Sequence, residues 1–195
     1  MKKFLSLFII PLLCCFTTKA QNLEVEINYV ITDPSIAKPV IFYTPNTKLT
    51  WDDFKGKPDK ASDAAAITNA GIGFKMAFHS KDNLATLNIT VDCNFSKNDS
   101  WVKKGMKTDY ILTHEQHHFD IAYIFAMKFI HDLKVAKYTM SNYSKTIENI
   151  YYTNQTALLQ MQNQYDSETK NSQIAAMQAL WNKKIDGEID SISKQ

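Results

Sequence analysis

The residues best suited to chemistry lie in one short run, His114-Glu115-Gln116-His117-His118. It has the form HExxH, in which two histidines stand four residues apart. On a helix this spacing places both imidazoles on one face, one turn apart, where both can reach a metal ion at about 2.0–2.1 Å. Glu115 lies about 100° round the helix from His114, beside the ion. The run therefore predicts His114 and His118 as metal ligands.

Glu115 is the expected catalytic base of this site. It can hold a coordinated water and take its proton, because zinc lowers the pKa of such a water to about 7. Attack on a polarised amide carbonyl would then hydrolyse a peptide bond. HExxH also arises by chance on amphipathic helices with solvated polar side chains. Here it shares a stripe with Ile111, Ile121 and Phe125, so the histidines should face the interior and need partners.

A catalytic zinc site needs a third protein ligand, which the run itself does not supply. Asp120 lies about 200° round the helix from His118 and should point away from the same ion. His117 is off the metal face, so we expect it on the surface or behind the ligands. His79 and His131 have no spacing relation to the pair. The third ligand must come from downstream, where the candidates are Glu148, Asp166 and Glu168.

Alternating apolar and polar residues predict the strands that support this helix. Residues 23–31 alternate and indicate a half-buried strand, and Val40–Tyr43 indicates a short one. Residues 70–95 contain two alternating runs around a turn at residues 80–83. They predict an antiparallel hairpin with one face on a core. On that face Cys93 is expected to be inert filler.

From Thr108 onwards the apolar residues recur with the spacing of an α-helix. A break at residues 141–144 and a polar stretch at residues 166–172 divide this part into three helices. The predicted fold is therefore one α+β domain, with a mainly antiparallel sheet followed by three helices. The HExxH run lies on the first long helix.

Residues 1–20 predict a secretory signal peptide. Two lysines at the start precede an apolar stretch over residues 4–16, and small residues end the segment near Ala20. The stretch is shorter than the roughly 20 residues that a membrane anchor needs. Acylation of a cysteine at position 14 or 15 is the alternative. We expect cleavage near Ala20, a secreted or periplasmic location, and a single domain over residues 21–195.

The amino-acid composition and net charge disfavour some classes of binding partner. Every basic side chain is a lysine, which disfavours bidentate recognition of phosphate. The net charge of +2 becomes about −1 once Lys2, Lys3 and Lys19 leave with the signal. We therefore expect a peptide or protein substrate, no nucleic acid, and no membrane span after cleavage. Cys93 alone remains, so no intramolecular disulfide can form. The oligomeric state does not follow from the sequence.

The chain also resembles a bacterial family of predicted secreted zinc-dependent proteases, catalogued as a domain of unknown function, number nine hundred and twenty-two. The resemblance covers nearly all of the mature chain and implies secretion, zinc and a zincin-like fold. Its most specific stretch is HEQ-x-HFDIA. The matching segments are Leu49–Gly56, Gly71–Phe74, Leu112–Ala122, Tyr165–Thr169 and the helix of Trp181.

One departure from the family concerns the third ligand. In the family a histidine follows the YD-x-E-T segment by two residues, whereas this chain has Asn171 there. Asp166 remains a usable carboxylate, and we predict it as the third zinc ligand, with a helix N-cap as its alternative role. Tyr165 is expected to pack in the core, and the alternative is oxyanion stabilisation if its hydroxyl reaches the cleft.

The leading functional prediction is an exported zinc-dependent peptidase that hydrolyses peptide bonds with a metal-activated water. Its ligands would be His114, His118 and Asp166, and its base Glu115. The main alternative is a catalytically weak or inactive zincin-like protein with a binding or envelope role, which the departure at Asn171 motivates. A purely structural zinc site is disfavoured because Glu115 would add nothing to it. Zincin architecture further suggests that the predicted hairpin offers an edge strand to an extended peptide.

Overall fold

The structure is a computed structural model that describes residues 22–33 and 39–194. The predicted signal peptide lies outside these residues. Within the described part of the chain, no helix combines the length and the apolar character needed to cross a bilayer. The α+β class and the three helices are confirmed. The order of elements is β1 (Asn22–Tyr29), β2 (Val40–Phe42), a 3-10 turn (Trp51–Asp53), β3 (Ala66–Ile67), β4 (Ala70–Lys81), β5 (Leu84–Ser96), β6 (Trp101–Val102), α1 (Asp109–Val135), α2 (Tyr143–Thr169) and α3 (Ala175–Ile192).

The sheet is mixed, and β5 pairs with all three of its other strands. β4 and β2 run antiparallel to β5, whereas β1 runs parallel to it from Asn22↔Leu84 to Tyr29↔Val91. Alternation predicted β1 as a strand, but it carries no information on the direction of the partner. β3 and β6 form a separate two-stranded sheet.

The inner face of β5 is buried in the hydrophobic core. Leu87, Ile89, Val91, Cys93 and Phe95 are each at most 1% exposed, as their alternation predicted. Burial of such side chains contributes about 1.5–3 kcal/mol each. Burial also raises the pKa of the Cys93 thiol well above its ordinary value, which keeps it in the unreactive thiol form.

The predicted hairpin is present, but its outer end does not pack on the core. The turn is narrower than predicted, with only Asp82 and Asn83 between β4 and β5. Met76 and Phe78 were expected on the buried face, yet they are 42% and 41% exposed. This prediction was wrong because only the first part of β4 is covered. Every residue of β4 from Lys75 to Lys81 is exposed, and Phe78 is supported by the ring of Tyr143. Ile31 was likewise predicted to face the core, but β1 ends at Tyr29 and Ile31 is 54% exposed.

The helices pack as a layer on the sheet, with α1 at its centre. α1 contacts β1, β3, β4 and β5 on one side and both other helices on the other. Its start is defined by Thr108, whose hydroxyl accepts a hydrogen bond from the N–H of Ile111 at 3.2 Å. The buried positions of α1 include every residue from His114 to Ile124. The helix that carries the HExxH run is therefore enclosed on most of its circumference.

The polar stretch at residues 166–172 is not the start of the last helix. Asp166 to Thr169 form the last turn of α2, and Ile174 is the N-cap of α3. The alternative role of Asp166 as an N-cap is therefore wrong. The turn that follows holds Lys170, Asn171 and Ser172 at φ values of 52°, 49° and 65°. Three successive non-glycine residues in the left-handed region are costly, so the surrounding contacts must hold this turn in place.

Candidate metal centre

Two helices bring three potential metal ligands together. His114 and His118 lie one turn apart on α1, and Asp166 reaches them from the last turn of α2. Oδ1 of Asp166 lies 3.1 Å from Nε2 of His114 and 3.0 Å from Nε2 of His118. The two Nε2 atoms are 3.2 Å apart. We refer to these three residues as the candidate metal centre.

The spacing of the three atoms fits a tetrahedral metal ion. Ligands at about 2.0–2.1 Å from zinc are separated from each other by roughly 3.3 Å in a tetrahedron. The observed separations of 3.0–3.2 Å approach this value. Among the described residues, this is the only group of three ligand types whose atoms all lie within 4.8 Å of one another. The geometry thus allows a metal ion to be held, without identifying which metal.

Two glutamines orient the imidazole rings. Nδ1 of His114 lies 2.8 Å from Oε1 of Gln178, and Nδ1 of His118 contacts Oε1 of Gln162. Because an amide oxygen only accepts, each Nδ1 is the donor, and in the neutral rings each Nε2 directs its lone pair at the centre. Such partners behind metal-binding histidines fix the tautomer and the ring orientation.

Tyr165 supports the centre from behind. Its ring stacks on that of His114 at 4.5 Å between centroids, and the residue is fully buried. Its hydroxyl donates to the carbonyl of His114 at 3.4 Å and accepts from Nε2 of Gln178 at 2.5 Å. The hydroxyl is therefore engaged by His114 and Gln178, and Tyr165 is not among the residues that line the cavity. The structure supports core packing, the role that the sequence favoured over oxyanion stabilisation.

Asp166 and the histidines of the centre shift each other's pKa strongly. Burial alone would raise the pKa of Asp166, but its hydrogen bonds to both histidines and their charges hold it well below the ordinary value. Burial alone would lower the pKa of His118, yet the hydrogen bond and charge of Asp166 raise it to about 9. A metal ion at these atoms would therefore compete with the proton of His118.

Glu115 places a buried carboxylate, one oxygen of which has no partner among the described residues, beside the centre. It is 3% exposed, and its Oε2 atom has no hydrogen-bond partner among the described residues. Burial raises its pKa, and the charges of His118 and His114 oppose that effect. A buried carboxylate oxygen without a partner is rare in native proteins. Its position indicates that a water or another ligand completes its bonding.

A cavity of about 240 Å³ opens directly onto these groups. Residues 64–70 form one wall, and Ile111 of α1 and Leu159 of α2 form apolar parts of the other. Asn171 and Ser172 also line the cavity. The predicted edge-strand segment, the hairpin at residues 70–95, contributes only Ala70. The extended backbone beside the site belongs instead to the segment that contains β3.

The other candidate ligands, Glu148 and Glu168, and the residues that spacing had set aside all lie elsewhere. His117 and Asp120 are buried and bond to each other on another side of α1, with 2.9 Å between Nδ1 and Oδ2. Glu148 accepts from the Ser144 hydroxyl at 3.4 Å. Glu168 accepts from Nε1 of Trp181 at 2.8 Å. His79 and His131 are exposed and outside the centre.

Sequence reasoning missed both glutamines behind the histidines. Gln162 had a usable signal, since it lies four residues before Asp166 and so on the same face of α2. Gln178 lies on α3, and nothing in its local sequence relates it to α1.

Comparison of the chain with protein-family models, with curated proteins and with solved structures found no match. The resemblance to predicted secreted zinc-dependent proteases therefore stays a prediction.

Proposed function

We propose that the chain is an exported zinc-dependent peptidase with a zincin-like arrangement of its site. The observation that carries this proposal is the buried Oε2 of Glu115, unpaired and next to a three-ligand group. A structural metal site has no use for such a carboxylate, because its ligands close around the ion. A hydrolytic site needs one to activate water.

Each residue of the proposed site has its own role in the reaction. His114, His118 and Asp166 would hold the ion, and their two imidazoles and one carboxylate form a ligand set that suits zinc. When bound, zinc would act as a Lewis acid that polarises the substrate carbonyl and makes water more acidic. Glu115 takes the proton of the attacking water and delivers it to the amine that leaves. Its burial, which raises its pKa, favours both transfers near neutral pH.

The cavity supports a peptide as substrate. Residues 64–70 present extended backbone along one wall, and β3 pairs with β6 through Ala66↔Val102 and Ile67↔Trp101. The opposite edge of so short a strand can accept an extended peptide by main-chain hydrogen bonds. Ile67, Ile111 and Leu159 would contact apolar substrate side chains.

The test combines metal analysis with a cleavage assay. The mature chain and its Glu115→Gln variant are assayed for bound metal and for cleavage of a peptide library. We expect about one zinc per chain in both proteins and cleavage only in the wild type. Exposed Glu148, on α2, provides the matched control as Glu148→Gln. Cleavage that survives in Glu115→Gln would contradict the assigned base.

The second candidate is a zincin-like binding or envelope protein without turnover. It is favoured by Asn171, which lines the cavity at the sequence position where the resembled family has a histidine. Zinc at full occupancy with no cleavage of any library peptide would support this role over the enzyme. Absence of zinc from both proteins would contradict both candidates.

A further inference from the structure

One hydrogen bond joins a wall of the cavity to the helix that carries the HExxH run. The wall consists of residues 64–70, and we call it the β3 wall. In it the Thr68 hydroxyl donates to the carbonyl oxygen of Glu115 at 3.1 Å. Among the described residues, no other hydrogen bond connects the β3 wall with α1. This contact therefore links the segment proposed to bind a peptide with the residue proposed as the base.

The β3 wall is held from the opposite side by β6 and the residue before it. The carbonyl oxygen of Ala65 accepts from the N–H of Lys103 at 2.8 Å, which extends the pairing of β3 with β6. The N–H of Asn69 donates at 2.8 Å to the hydroxyl of Ser100, which is fully buried. The backbone is thus anchored on both sides of Thr68, and the Thr68 side chain makes the bond to α1.

The Thr68 hydroxyl interacts with the side chain of Glu115 as well as with its main chain. Burial raises the pKa of Glu115, and a hydrogen bond from the Thr68 side chain is among the effects that oppose this rise. Threonine is branched at Cβ, which restricts its rotamers. Because its backbone is also anchored, Thr68 can hold its hydroxyl at a fixed place beside Glu115.

The distance between the β3 wall and Glu115 matters for the proposed hydrolysis. In that reaction the peptide lies along the β3 wall, whereas the base lies on α1. A base must come within about 2.6–3.2 Å of the atom whose proton it abstracts. A misplacement of about 1 Å can cost about 100-fold in rate. A side chain that spans the two elements is therefore placed to affect the rate without contact to the reacting atoms.

We propose that Thr68 is a positioning residue, which sets the distance between a peptide bound along the β3 wall and the carboxylate of Glu115. Its hydroxyl acts through Glu115 and not on the reacting atoms. The inference rests on the proposed peptidase function and adds to it a residue outside the HExxH run.

Two substitutions of Thr68 test this role, with the library peptide that the wild type cleaves fastest as substrate. Thr68→Val removes the hydroxyl and keeps the shape of the side chain, whereas Thr68→Ser keeps the hydroxyl. We expect Thr68→Val to lower kcat about tenfold, with KM and zinc affinity unchanged, and Thr68→Ser to retain most of the kcat. The matched control is Thr153→Val, since that hydroxyl donates to the carbonyl of Asn149 at 2.8 Å on exposed α2. If Thr68→Val fails to fold, Thr68→Ala takes its place.

The position of the Glu115 carboxylate can be followed without turnover by ¹³C NMR of labelled glutamate. Its carboxyl signal, identified by its absence from Glu115→Gln, should shift in zinc-free Thr68→Val and much less in Thr68→Ser. An unchanged signal, or a wild-type kcat in Thr68→Val, overturns the inference and leaves the peptidase proposal in place. A raised KM with unchanged kcat also overturns it, because Thr68 would then support only the β3 wall. Failure of the wild type to cleave any library peptide contradicts the proposed function itself, and the positioning role with it.

Discussion

His117 and His118 are neighbours in the chain, yet the surroundings of their rings differ in kind. Nε2 of His118 meets a second imidazole and a carboxylate at about 3 Å, each from a different turn or helix. Nε2 of His117 has no hydrogen-bond partner among the described residues, and its other nitrogen bonds to Asp120, three residues along the same helix. On one side of α1 the side chains converge on the candidate metal centre. On the other side they line a cleft between α1 and α3. The position of a histidine along the helix therefore determines the side on which it lies. The neighbouring helices determine whether further ligands meet it there, as α2 does for His118.

Removal of the metal should give the largest effect and should act on one side of α1 only. A metal at about 1,000 times its dissociation constant stabilises the fold by about 4 kcal/mol. For a chain of this size, chelation should therefore lower the melting temperature by about 8–16 °C. NMR of the histidine rings should show changes at His114 and His118 and little at His117. Equal changes at all three rings would show that the two sides of α1 do not differ in metal binding.

Asp166→Asn should weaken zinc binding by more than about 100-fold, because even partners behind the ligands contribute about 10–100-fold. The neutral amide also removes the charge that holds the pKa of His118 high, so that ring should titrate at lower pH. Competition with a chelator measures the affinity. Glu148→Gln, on exposed α2, is the control and should bind zinc as the wild type does. Zinc binding unchanged by Asp166→Asn would mean that the third ligand is another group.

Gln162→Leu should weaken zinc binding about 10–100-fold through loss of the orientation of the His118 ring. Its amide also donates to the carbonyl of His118 at 2.9 Å, so both contacts disappear. Gln160→Leu, two residues away on the exposed face of α2, is the matched substitution. Equal zinc affinities of the two variants would refute a positioning role for Gln162.

Tyr43→Phe should give the smallest effect, on the side of α1 that faces away from the metal. It removes the 2.8 Å hydrogen bond to Asp120 and should cost about 1.5 kcal/mol of unfolding free energy. That corresponds to a loss of about 3–6 °C in melting temperature. Zinc affinity should not change. Tyr152→Phe, which is 65% exposed, should alter neither quantity. A large drop in zinc affinity for Tyr43→Phe would show that the two sides of α1 are coupled.

Local patterns were enough to predict much of this protein. The spacing of His114 and His118 required only that the segment be helical, since a helix places i and i+4 on one face. The inner face of β5 followed from its alternation, which depends on the pleat of a single strand. Each of these statements concerns groups held by the same element.

The contacts between different elements could be learned only from the tertiary structure. Spacing left Glu148, Asp166 and Glu168 open as candidates, and Asp166 was predicted from the segment that carries the family resemblance. The packing of α2 on α1 is what brings its carboxylate to the histidines. The same holds for the Gln178 contact and for the parallel pairing of β1 with β5. The physical reason is that periodicity specifies which side of an element is buried, whereas the partner across that surface depends on how the whole core is packed.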